Sequence, residues 1–301
     1  MRTGHLSDML LTGLAPAIWG TTYIVTTEWL PVDHPLFIAM MRALPIGIVL
    51  SLALRQWPRG IWWYRSAVLG FLNIGLFFVL LFIAATRLPG GLTATIGSIQ
   101  PMVVLALAWI ILKERPTLHK LGFAMLGVVG VALLVLTQFA RLDRLGVLAI
   151  LGATVSMAGG TVLTKKWGRP VSLLSFTAWQ LVAGGLFLLP LALLLEGLPA
   201  VLTPQHGLGF LYLGVVNTGL AYTLWFRGIS RLPATTMPML GLLSPVVAIS
   251  VGFIFLQQQL GLPQLLGAAL VLGSVVLSQG LRQPAPPQAE VVVEGYKQLE
   301  K

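Results

Sequence analysis

The chain contains no cysteine, which excludes a disulfide framework and any thiolate metal site. Charge is scarce: Asp, Glu, Lys and Arg make up 9% of its 301 residues, against about 25% in soluble domains. With 56% hydrophobic residues and a mean hydropathy of +0.89, the chain cannot cover a globule with a water-facing surface. It belongs in a lipid bilayer. Acidic residues are rarest. All nine (Asp8, Glu28, Asp33, Glu114, Asp143, Glu196, Glu290, Glu294 and Glu300) stand at the ends of apolar runs, in loops or in the tail. His5, His34, His119 and His206 also avoid the middle of those runs. No carboxylate pair, histidine cluster or Ser–His arrangement is therefore offered at membrane depth for an enzyme. No buried proton relay is offered either, and no phosphate-cradling loop for an ATPase. No ring of like charge marks a channel. The expectation is a non-enzyme without cofactor or metal. The net charge of +10 is read as loop lysine and arginine meeting anionic lipid, with no nucleic acid as partner.

Apolar length is abundant. A spanning helix needs about 20 apolar residues, and such runs occur near 9–27, 34–54, 66–86, 91–112, 119–139, 145–164, 171–195, 207–226, 234–256 and 262–281. The first lacks a following small-residue cleavage site and is read as a retained helix. With both termini on the cytoplasmic side, fifteen of the nineteen Lys and Arg fall on the inner side. Arg87, Arg141 and Arg144 fall outside, and Arg42 alone lies within a span. That bias is the positive-inside pattern.

The runs repeat. Displaced by 144 positions, Leu69–Val103 meets Leu213–Val247 without a gap, with 13 identities that include Asn73 on Asn217, Arg87-Leu88-Pro89 on Arg231-Leu232-Pro233, Gly97 on Gly241 and Pro101 on Pro245. Five spans per copy is odd, so the copies are expected to lie upside down relative to each other. Inverted repeats around a midplane site are the architecture of many secondary transporters. The expected fold is an all-α polytopic membrane protein of ten transmembrane helices: a five-helix repeat over 1–139, an inverted one over 140–281, and a disordered cytoplasmic tail over 282–301.

Leu14-Ala15-Pro16-Ala17-Ile18-Trp19-Gly20 in the first span, Arg42 in the second, the two Arg-Leu-Pro loops, the Pro101 and Pro245 spans, and Lys113-Glu114-Arg115-Pro116 closing the fourth resemble the drug/metabolite transporter superfamily, specifically its ten-span EamA-type branch. The second half departs from this pattern at Gln257-Gln258-Gln259, which fits an outer loop. The chain is also similar to bacterial amino-acid exporters, including those for aromatic amino acids. The resemblance implies a multi-pass inner-membrane exporter or exchanger of a small metabolite, an amino acid first. A multidrug or sugar/nucleotide-type cargo and a channel-like facilitator stand as alternatives. The chain is expected to act as a monomer, with the lipid bilayer and a small-molecule substrate as its partners.

Within that frame Arg42 is the leading site residue, because an intramembrane charge costs about 2.5–3.5 kcal/mol on insertion scales. It lies about 12 Å below the outer boundary at 1.5 Å per residue. Two roles stay open: contact with a substrate carboxylate, or a structural or gating role in which it snorkels outward or pairs with a span-end carboxylate such as Glu28 or Asp33. Trp19, Tyr23, Phe77, Phe78, Trp109, Trp179, Tyr222 and Trp225 lie within spans and suit an aromatic-lined cavity as well as core packing. Thr21, Thr22 and Thr26 follow the Trp19-Gly20 break and either bond their own backbone or offer hydroxyls to a substrate, and Gln100 and Ser244 precede the paired prolines. Asn73 and Asn217 read as glue between helices. Pro101 and Pro245, which free the carbonyls of Gly97 and Gly241, read as hinges. Trp57, Trp62, Trp63 and Tyr64 read as an interfacial belt. Ser156/Gly160 and Ala269/Gly273 read as close-packing pairs. Without a buried acid, uncoupled or exchange transport is expected.

Overall fold

A computed structural model describes residues 3–31, 33–88, 90–115, 117–135, 143–234, 236–256 and 261–280. Among these residues the chain is helical, with no strand. A backbone in hydrocarbon must satisfy its own hydrogen bonds, which a helix does within one segment. The elements are α1 (Thr3–Gly20), α2 (Thr22–Trp29), α3 (Pro35–Leu54), α4 (Trp62–Gly70), α5 (Leu76–Ala85), α6 (Gly90–Gly97), α7 (Gln100–Leu112), α8 (Leu118–Val135), α9 (Arg144–Trp167), α10 (Leu173–Leu191), α11 (Pro204–Leu211), α12 (Ala221–Arg231), α13 (Met237–Gly241), α14 (Leu243–Leu256) and α15 (Leu262–Gly280). Widened π turns, Phe71–Gly75 and Tyr212–Leu220, join α4 to α5 and α11 to α12, and a third, Ala192–Glu196, extends α10.

Seven of the resulting helices are long and apolar enough to cross a membrane. Three shorter apolar ones, Gln100–Leu112, Leu118–Leu134 and Leu262–Ser278, fall on the remaining predicted runs. The helix through α4 starts at Trp62, a turn ahead of the expected boundary, and the one through α12 runs on to Arg231, so Arg227 is helical. Pro89, Pro116, Gln257-Gln258-Gln259 and the 282–301 tail lie outside the described residues.

Helix ends follow local chemistry. Arg55 and Lys113 stop α3 and α7 in the left-handed region, at φ 51 and 61. A left-handed non-glycine residue costs about 1–2 kcal/mol, and a cation there is offset in part by the negative end of the helix dipole. Asp143 and Ser172 cap α9 and α10 through Gly146 and Ser175. The first turn of α3 is capped from a distance: both oxygens of Glu196 accept from the amides of Leu36 and Phe37, at 2.8 and 2.9 Å. At the far end of the same helix pair, Gln56 receives Ser175 Oγ at 2.7 Å and Trp179 Nε1 at 2.6 Å.

The core is a crossing of α3 with α10. A Cβ on Gly47 would stand 2.8 Å from the amide of Val182, and one on Gly185 would stand 2.7 Å from Leu44 Cβ, so each helix supplies a glycine notch for the other. The small-residue contact of α15 is on Gly267, whose notch faces the Gly130 carbonyl of α8 at 2.6 Å. Gly273, expected in that role, has open space around it, so the spacing of small residues marked the right helix but the wrong turn. Trp62 also departs from expectation. It is buried against Phe176 and Trp179, whereas Trp57, Trp63 and Tyr64 are exposed as belt residues should be.

Candidate functional site

Arg42 projects from α3 and is 5% exposed. Its neighbours are neutral. Nε donates to Thr218 Oγ1 at 2.9 Å, and Nη2 donates to the Asn217 carbonyl at 3.5 Å and to Asn217 Oδ1. The guanidinium lies 5.0 Å from the centre of the Phe78 ring. Glu28 and Asp33 are not its partners, so the structural reading of Arg42 as half of an ion pair falls away. Asn217 is a hub: its Oδ1 also receives Thr22 Oγ1 at 3.0 Å, its carbonyl receives Trp19 Nε1 at 3.0 Å, and its Nδ2 donates to the Ile18 carbonyl at 2.8 Å. Asn217 sits in the π turn, where the widened ladder turns carbonyls outward to side-chain donors.

The aromatic residues gather on the same side. Trp19 meets Tyr222 at 5.2 Å and Trp225 at 5.1 Å between ring centres. Tyr222 donates its hydroxyl proton to the carbonyl of Asn73 at 3.4 Å, and Trp225 reaches the α13 end at Gly241. The Ser244 carbonyl faces the Gly20 backbone next to Trp19. Thus Arg42, Asn217, Thr22, Trp19, Tyr222, Trp225, Phe78, Asn73 and Ser244 form one connected set. Phe77 packs on Phe78 at 5.4 Å. Trp179 is elsewhere, tied to Gln56 at the end of α3, Trp109 on α7 is 55% exposed and so lines no central cavity, and Gln100 is half-buried at the start of α7. The Tyr23 side chain lies outside the described residues. Breaks before the paired prolines are present: α6 ends at Gly97 and α7 opens at Gln100-Pro101, while α13 ends at Gly241 and α14 contains Pro245.

Asn73 is the centre of a second, parallel node. Its Nδ2 donates to Gln180 Oε1 at 2.9 Å and to Thr164 Oγ1 at 3.4 Å, and its side chain lies directly on the backbone of Gly160. Asn217 is thus held by α1–α2 and α3, whereas Asn73 is held by α9 and α10. Glycines beside the two nodes correspond as well: a Cβ on Gly70 would stand 2.6 Å from the Gln180 carbonyl, and one on Gly214 would stand 3.8 Å from the Arg42 carbonyl. Gln180 Nε2, Thr161 Oγ1 and Trp225 Nε1 are buried without a partner among the described residues. Buried donors are seldom left so.

Gln180, Thr161, Thr164 and Thr218 escaped the sequence reading. Gln180 had a visible signal, as a lone amide inside a strongly apolar helix. The threonines had none, since a membrane threonine commonly bonds its own preceding turn. Each end of the molecule also carries an ion pair on the repeated arginine. Arg231 and Arg227 hold Asp8 at 3.3 and 2.6 Å, and Arg87 faces Asp143 at 3.8 Å.

The profile of the EamA-like transporter family matches the chain twice, over residues 6–136 and 144–279. The chain belongs to the EamA-like transporter family. It is a multi-pass membrane transporter of the drug/metabolite superfamily. Protein PecM of Dickeya dadantii (strain 3937) is 46% identical over 269 residues, which are 89% of this chain and 90% of that protein. A probable amino-acid metabolite efflux pump of Salmonella typhimurium is 26% identical over 288 residues, 90% of this chain and 94% of the pump. A solved crystal structure shares the fold with a TM-score of 0.77 at 20% identity, covering 90% of this chain and 97% of that one.

Proposed function

We propose that this transporter moves an amino acid, or a similar small carboxylate with an apolar or aromatic side chain, across the bacterial inner membrane by alternating access between two inverted five-helix repeats. The observation that carries the reading is Arg42, a buried cation with no acidic partner among the described residues, set beside Trp19, Tyr222, Trp225 and Phe78. A guanidinium satisfied only in part by neutral acceptors has capacity left for a carboxylate. The ring faces suit the rest of the cargo. The unpartnered Gln180, Thr161 and Trp225 groups favour a cargo with further acceptors. Similarity to an amino-acid metabolite efflux pump supports the same cargo class.

Two observations support the inverted repeat: the family profile matches twice in succession, and the two asparagine nodes correspond. In each, the third span of one copy is clasped by the first two spans of the other. The two nodes also differ in detail. The Asp8 end carries the closer ion pairs and the close Gly70 notch; the Asp143 end carries the longer pair and the looser Gly214 notch.

The test is a thermal-shift screen of the purified transporter with amino acids, their decarboxylated amines and amphipathic cations. A cargo binding only the folded protein raises its melting temperature. Stabilisation by amino acids but not by the matching amines is expected, and the reverse order would overturn the carboxylate reading.

A further inference from the structure

On the outer flank of the bundle, away from Arg42, a groove of about 450 Å³ lies between α3, α4 and α10. Its wall is apolar and aromatic: Trp57, Trp63, Phe71, Trp179 and Phe187 line it, with Ala67 on the α4 side. Phe71 and Phe187 meet edge to face at 4.8 Å at its deep end. Trp57 and Trp63, at its shallow end, are 50% and 60% exposed. From Trp63 to Phe71 the helix rises about 12 Å at 1.5 Å per residue, most of one leaflet of a hydrocarbon core about 30 Å thick. Ser66 also lines the groove, and its buried Oγ has no partner among the described residues.

Two arginines stand close in sequence to the lining residues Trp57 and Pro58. Arg55 ends α3 and Arg59 follows Pro58, itself a lining residue. Both arginines are exposed, and neither pairs with a carboxylate among the described residues. The loop between α3 and α4, Gln56-Trp57-Pro58-Arg59-Gly60, holds no acid. Arg65 is already occupied, stacked on Trp62 at 5.0 Å and Trp167 at 5.5 Å. An apolar slot one leaflet deep, framed by interfacial tryptophans and flanked in sequence by two exposed arginines that form no ion pair among the described residues, suits a single lipid molecule: acyl chain in the slot, phosphate at the arginines.

We propose that this groove is a specific site for an anionic phospholipid, one acyl chain lying along Ala67 and Phe71 and its headgroup phosphate held by Arg55 and Arg59. Loop charges place that end of α3 and α4 in the inner leaflet, where anionic headgroups attract basic residues close to the surface. Chain burial alone confers little preference, because bilayer tails are as apolar as the groove. Headgroup charge sets the selectivity, at about fivefold per arginine or about 25-fold for the two. The site is independent of the cargo reading, since among the described residues none of its lining residues is hydrogen-bonded to Arg42, Asn217 or Thr218.

The test is native mass spectrometry of the full chain with phosphatidylglycerol and phosphatidylcholine of identical acyl chains. Wild type is expected to retain one phosphatidylglycerol in preference to phosphatidylcholine, by about 25-fold. Arg55→Gln with Arg59→Gln should lose the preference while keeping weak retention of either lipid. Ala67→Phe, which fills the slot at an exposed position, should lose retention of both. Thermal melting in phosphatidylcholine micelles confirms that each variant is folded. Equal retention of both lipids by wild type, an unchanged preference in the double arginine variant, or unchanged retention in Ala67→Phe would each overturn the site.

Discussion

Replacing Arg42 with methionine separates a cargo-binding residue from a structural one. Methionine keeps the unbranched stem in place and removes the charge and donors. The loss to folding is three hydrogen bonds, to Thr218, the Asn217 carbonyl and Asn217 Oδ1. Within membranes such bonds average about 0.6 kcal/mol each, or about 2 kcal/mol together. Two of the three acceptors keep a donor, because Thr22 still serves Asn217 Oδ1 and Trp19 still serves its carbonyl, while the Thr218 hydroxyl is free to turn to its own preceding turn. Against that loss, the cost of an intramembrane charge, about 2.5–3.5 kcal/mol, is relieved. The terms nearly cancel, so the variant should fold and melt within a few degrees of wild type. Transport should collapse, since a charge-assisted bond to a carboxylate contributes about 1.5–3 kcal/mol, a loss of about 10- to 150-fold in affinity. Arg42→Lys keeps a point charge but not the fork and should fall between the two. The assay is uptake of labelled amino acids into proteoliposomes, with melting followed by tryptophan fluorescence. Arg42→Met with near-normal uptake refutes the binding role; Arg42→Met that fails to fold refutes the cancellation.

The Asp8 ion pairs should act as a latch. Asp8→Asn removes about 1 kcal/mol and should speed labelling of a cysteine placed at Thr12, between α1 and Gly228, by about fivefold. The native chain has no cysteine to interfere, and unchanged labelling would exclude a latch. Gly160→Ala drives a methyl into the Asn73 side chain and should destabilise the protein by about 1–3 kcal/mol, whereas Gly159→Ala, with nothing within 4 Å, should be neutral in the same melting assay. Finally, no Asp, Glu or His is buried among the described residues, and Glu196 is engaged in capping α3. An imposed proton gradient should therefore leave the steady-state uptake level unchanged; strong gradient-driven accumulation would place a proton carrier in the path.

Much of this protein is legible in one dimension, because a bilayer asks a simple question of a sequence. Length of apolar run, scarcity of charge and the side on which lysine and arginine fall set the expected spans and their direction, and the described helices fall on those runs. The repeat of Asn73 on Asn217 and of Arg87 on Arg231 is equally readable, since identical polar residues rarely recur by chance in apolar sequence. Partners were not readable. That Arg42 meets Asn217 and Thr218 across 175 or more positions depends on how α3 crosses the Tyr212–Leu220 turn. Trp179, equal to Trp19 by composition, is carried to Gln56 because α10 tilts across α3 at the Gly47 and Gly185 notches. Hydropathy is a property of each residue and survives in the linear chain. Which polar group answers which is a property of helix crossings, and only packing in three dimensions decides it.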